Sequence, residues 1–123
     1  DDAFAPALVA RIRELRPACT DMERMERAVE LQAQGRSEDA ILELEQQLRE
    51  NPAPAEPYLA LERLYLEEGR VEDAARVVTR YLQQEQDAQE RCRHYRTLSP
   101  RTVRAMEPAL VQELERACRS PGP

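Results

Sequence analysis

His94 is the only histidine in the 123-residue chain, and Cys92 stands two residues before it. A thiolate beside an imidazole is the one nucleophile–base pair the sequence brings close, and nucleophilic catalysis is what such a pair would do. On a helix, positions i and i+2 point in different directions, so the spacing reads instead as a surface histidine among arginines. The 24 carboxylates recur on helix faces in a solvated pattern rather than in converging pairs. Every basic residue other than His94 is arginine, so neither lysine Schiff-base chemistry nor a phosphate-loop lysine is possible. Three glycines in all leave no glycine-rich phosphate cradle. The sequence reads as non-catalytic, with no cofactor and no metal site.

Charge is distributed unevenly. Residues 21–90 hold 18 acidic side chains against 8 arginines, while residues 91–104 hold Arg91, Arg93, Arg96, Arg101 and Arg104 with no acid. That basic stretch could engage an acidic partner or phosphate, steer self-association, or fold back over the acidic segment of its own chain. The overall net charge of −6 argues against broad nucleic-acid binding, which needs a cationic footprint. Cys19, Cys92 and Cys118 are odd in number and lack metal-ligand spacing. They read as free thiols in a reducing, cytoplasmic compartment. No apolar run approaches the roughly 20 residues needed to span a bilayer. The first residue is Asp rather than Met, which reads as an excised or processed piece.

The elements that carry these residues are helices. Only 4% of the chain is aromatic, and Glu, Gln, Arg, Leu and Ala dominate; this usage predicts an all-α protein with an aliphatic core. Pro6 opens a first helix to Arg16 with Leu8, Ile12 and Leu15 on one face, and Pro17 stops it. Thr20 and Glu23 have capping-box spacing and open a second helix, which Gly35 ends. Ser37 can cap a third, with Ala40, Ile41, Leu44 and Leu48 as its buried stripe, closed by Asn51-Pro52. A fourth runs from about Glu56 to Glu68 and a fifth starts near Val71. Beyond Leu82 either one long helix continues to about residue 97, or Asp87 caps a new one. Pro100 and Pro108 open two further helices, and residues 120–123 read as a disordered tail.

Two of these segments repeat. "GRSEDA" begins at Gly35 and "GRVEDA" at Gly69, 34 positions apart. Helix, glycine turn, helix and proline at that period is the rhythm of a helical solenoid. The stretch from about Asp21 to Asp87 resembles two tetratricopeptide repeats. Gly35 and Gly69 match the turn glycine, Ala40 and Ala74 the small helix-B residue, Pro52 the closing proline, Tyr65 the aromatic near the end of helix A and Ala28 the small residue before it. Arg24, Arg27, Glu62 and Gln86 depart from the family pattern. The resemblance implies a right-handed helical-hairpin solenoid: repeats at 21–54 and 55–88, an N-terminal capping helix within 1–20, and capping helices over 89–119. About three units are needed for stability, hence the caps.

The resemblance also implies a concave groove lined by helix A. Its lining positions fall on Met22, Met25, Val29 and Gln32 in the first repeat, and on Glu56, Leu59, Arg63 and Leu66 in the second. Two methionines and a valine suit an adaptable surface for a peptide or amphipathic helix. The carboxylate clamp of chaperone-tail binders is missing, because Met25, Val29 and Ala60 stand at its positions. Residues 6–16 could equally fill the groove from within the chain. The function implied is a protein-interaction adaptor or scaffold. A self-associating structural module and a pentatricopeptide-like RNA binder are the alternatives.

Overall fold

A computed structural model of the chain describes residues 17–119, with side chains from Met22 onward. Every regular element among them is a helix: α1 Pro17–Ala33, α2 Ser37–Glu50, α3 Glu56–Glu67, α4 Val71–Gln84, α5 Ala88–Tyr95, α6 Pro100–Ala105 and α7 Pro108–Arg119. The expected helix over 6–16 and the tail at 120–123 lie outside the described residues.

The two turns repeat atom for atom. Gly35 and Gly69 adopt φ of 74° and 73°, the left-handed region that a Cβ disfavours. Past each glycine the chain closes on the preceding helix. Arg36 N donates to Leu31 O at 2.8 Å and Gly35 N to Gln32 O at 3.0 Å; Arg70 N donates to Tyr65 O at 2.7 Å and Gly69 N to Leu66 O at 3.0 Å. Both are Schellman closures, which satisfy otherwise orphaned carbonyls. The motif's arginine then grips its aspartate in each copy, Arg36 Nε to Asp39 at 2.9 Å and Arg70 Nε to Asp73 at 2.7 Å.

Each turn joins a packed hairpin, α1 with α2 and α3 with α4, and α2 packs on α3 to join the two. Ala40 and Ala74, one period apart, are both 0% exposed. A methyl group at each place lets two helices approach closely, and Leu44, Leu61, Val78 and Leu82 fill the surrounding core. Tyr58 ties the loop between the hairpins to the second one. Its hydroxyl donates to Pro52 O at 2.6 Å, and Gln84 Nε2 reaches the same carbonyl at 2.6 Å.

The C-terminal end is covered by three short helices. Of the two options beyond Leu82 the chain takes the break: α4 stops at Gln84, and the Asp87 carboxylate accepts from Gln89 N and Glu90 N at 2.9 and 3.1 Å. Helix α6 lies on α4, and α7 packs on α5. Glu62, buried at 3% exposure, accepts from Ser99 N at 3.0 Å. The residue that departs from the family pattern thus anchors the start of α6.

Four expectations are corrected. Helix α1 begins at Pro17, not at Thr20, because proline is tolerated in a first turn, where its missing N–H has no helical partner. The cap of α2 is Arg36 without a side-chain bond; its carbonyl already accepts from Ala40 N at 3.1 Å, which leaves Ser37 as a helical residue. Cys92 and Cys118 are not free thiols: α7 brings their Cα atoms to 5.3 Å and a disulfide joins them. This removes the argument that tied the chain to a reducing compartment. His94 is not a surface residue either. It is buried on the inner side of α5, with Nδ1 2.8 Å from the Tyr81 hydroxyl and the two rings edge to face.

Candidate functional site

Residues of α1 and α3 share one side of the two hairpins. Helical periodicity sends Ala28 into the core and leaves Met22 and Val29, seven residues apart and hence on one face, exposed at 63% and 61%. Met25 stands between them, half-buried and packed against the core. Two hollows meet at Met25. One, of about 310 Å³, is lined by Met25, Val29, Gln32, Ala60, Arg63 and Glu67 among others. The other, of about 360 Å³, lies at the end where α1 begins and is lined by Met22, Met25, Glu26, Gln47, Pro54, Glu56 and Pro57.

Of the eight positions the sequence assigned to the groove, Met25, Val29, Gln32 and Arg63 converge on the first hollow, and Met22 and Glu56 join Met25 in the second. Leu59 and Leu66 line neither; they are half-buried and pack against the core. Gln32 is engaged across the hairpins, its Nε2 donating to both Glu67 carboxylate oxygens at 2.8 and 2.9 Å. Arg63 is exposed at the rim. Ala60 was named only as a clamp position without its charged group, while Glu67, Pro54 and Pro57 escaped sequence reasoning because they sit one place away from the assigned positions or in the connecting loop. Gln47 was legible: it is three residues beyond Leu44, a polar side chain on the apolar stripe of α2.

Gln47 is 2% exposed, and its Oε1 has no hydrogen-bond partner. A buried acceptor left unmatched costs about 1–3 kcal/mol. One period further on, Tyr81 is buried in the corresponding place and meets His94. Burial, reinforced by the nearby Glu85 carboxylate, pushes the Tyr81 phenol well above its ordinary range. The hydroxyl therefore stays protonated and serves as a structural link. Tyr65 is pushed up likewise, first by burial and then by Glu45, to which it donates at 2.8 Å.

The five arginines of the basic stretch are spread over two helices and the loop between them. Arg91 pairs with Glu113 at 3.2 Å, Arg93 with Glu90, and Arg96 donates to Cys118 O at 3.2 Å. The partners of Arg91 and Arg96 belong to the cap helices, whereas Glu90 is the last acid of the 21–90 segment and Glu56 of the second repeat also acts on Arg93. Arg101 and Arg104 lie exposed on α6, three residues apart. A third hollow, between α1 and α2, is lined by Arg24, Arg27, Arg36, Asp39 and Glu43 around Leu31 and Leu42. Its charges are already matched, Arg24 to Glu50, Arg27 to Glu43 and Arg36 to Asp39. Among the described residues, no group of three His, Cys, Asp or Glu side chains could hold a metal ion. No described helix is long and apolar enough to cross a membrane.

Twin helical hairpins, each with a buried alanine one period from the other, define a helical-repeat fold. The family model described as tetratricopeptide repeat matches residues 31–97, and the chain belongs to that family. No curated protein and no solved structure matches it. Tetratricopeptide repeats are in general protein–protein interaction modules.

Proposed function

We propose that this chain is a non-catalytic adaptor whose concave face, built on Met22, Met25 and Val29, docks a peptide or amphipathic helix of another protein. The observation that carries the reading is the exposure of Met22 and Val29 on one face of α1, beside two hollows that share Met25. Surface positions that large and apolar, grouped rather than scattered, mark a contact surface. Methionine supplies a polarizable side chain that adapts to its partner. Arg63 and Glu67 at the rim of the second repeat give the contact polarity. Arg101 and Arg104 on α6 offer a second, charged point of contact for the same partner or for the acidic repeats of another copy.

The test is photo-cross-linking from position 29. A photoreactive phenylalanine replacing Val29 is irradiated with extract of the source cells, and the products are identified by mass spectrometry. One product that disappears when Met22→Glu is added supports docking on this face. Cross-links indifferent to Met22→Glu, or none but to a second copy of the chain, reject it, the latter in favour of self-assembly.

A further inference from the structure

We propose that the hollow walled by Met22, Met25, Pro54 and Pro57 is a socket for one arginine or lysine side chain of another protein's docked segment. The inference rests on the reading of this face as a docking surface and names the chemistry that the surface selects.

The socket has two kinds of lining. Its walls are apolar, while Glu26 of α1 and Glu56 of α3 stand exposed at its rim. Among the described residues neither carboxylate forms an ion pair; Arg93, bonded to Glu90, feels Glu56 only at longer range. This sets the socket apart from the hollow between α1 and α2, where the acids already hold arginines. Gln47 lines the same socket, is 2% exposed, and leaves its Oε1 without a partner. The last torsion of a glutamine is broad, so its amide can turn toward a donor that arrives. Three acceptors thus stand unmatched around an apolar hollow.

Arginine and lysine are built in the same two parts, an apolar stem and a charged head, and the head has donors and no acceptor. The stem suits Met22, Met25 and the two prolines, and the head suits Glu26, Glu56 and Gln47. A purely apolar side chain would leave the Gln47 oxygen unmatched, and an acidic one would face two carboxylates. At about 360 Å³ the hollow is near the lower end of the roughly 300–1,000 Å³ range of ligand cavities, room for a side chain rather than a helix. The surrounding charge favours the same occupant, because residues 21–90 hold 18 acids against 8 arginines. It also fixes where the cation goes. Arg63, seven residues after Glu56 on α3 and about 10 Å further along its axis, is exposed and lines the other hollow. A basic side chain is drawn to the socket and repelled from that second hollow, which gives the docked segment a direction.

Random twelve-residue peptides displayed against the full chain test the proposal, with the enriched sequences resynthesised and titrated by fluorescence anisotropy. The expected peptides carry one arginine or lysine flanked by apolar residues. Replacing it with uncharged citrulline or norleucine should weaken binding about tenfold or more. Glu26→Gln/Glu56→Gln, at exposed positions that tolerate substitution, should weaken the unmodified peptide similarly. On that variant the peptide replacement should then cost little more, the non-additivity expected of groups in contact. Enriched peptides without a basic residue, a replacement that costs the same on parent and variant, or a parent that selects no peptide would each overturn the proposal. Self-association of the parent that Glu26→Gln/Glu56→Gln abolishes would also overturn it and give the socket to a second copy. Peptides that ignore Glu26→Gln/Glu56→Gln yet are lost on Val29→Glu would strike the socket alone and leave the docking reading standing.

Discussion

At Gly69 the backbone turns at φ 73°, and a methyl group built there would meet nothing within 4 Å. Any penalty for Gly69→Ala is therefore conformational, about 1 kcal/mol of unfolding free energy. Gly69→Asn should recover part of it, since asparagine tolerates that region better. Denaturant unfolding of the two variants checks the order. Beside the glycine, Arg70 bonds Asp73, pairs with Glu38 of α2 at 3.2 Å and stacks 4.6 Å above the Tyr65 ring. The Arg70 hydrogen bond, helped by Arg76, holds the Asp73 carboxyl below its ordinary 3.8, against a smaller opposing effect of burial. A carboxylate whose value is depressed by folding stabilises the native state above its unfolded value and loses that contribution as pH falls through the folded one. Unfolding midpoints measured from pH 5 down to 2 should show the parent losing stability below about 3.8 more steeply than Asp73→Asn.

The hairpins were legible as elements because glycine and proline punctuate them and a single 34-residue period carries Gly35 to Gly69 and Ala40 to Ala74. A leucine at position 74 must overfill the contact between α3 and α4, at a cost of roughly 1–3 kcal/mol. If Ala74→Leu unfolds like the parent, the small-residue wedge is not what joins the pair. The C-terminal cap was less legible, and for physical reasons. The Asp87 cap is a local signal; the burial of His94 depends on Tyr81, thirteen residues earlier, and the Cys92–Cys118 bond closes 26 residues. Neither pairing leaves a pattern in local periodicity. The departure at Glu62 was visible, but its meaning was not until Ser99 N stood beside it. Thiol titration of the denatured, unreduced chain should find no more than one reactive cysteine, and three after reduction. Glu62→Ala should speed amide exchange in α6 before it affects α1 or α2, because it leaves Ser99 N unmatched.

Across the whole molecule, α5, α6 and α7 follow the second hairpin and α6 packs on α4, and one face of α1 keeps Met22 and Val29 in the open. Period and family resemblance led to Met22, Met25 and Val29. The same carry-over assigned Leu59 and Leu66, which are half-buried and packed against the core as Met25 is, but line neither hollow. The central claim is that this face serves another chain rather than the fold itself. Its most direct test is the unfolding free energy of the double variant Met22→Glu/Val29→Glu. Exposed positions tolerate such changes, so the account predicts a value within about 1 kcal/mol of the parent. A loss of 3 kcal/mol or more would contradict it, showing that the face is core.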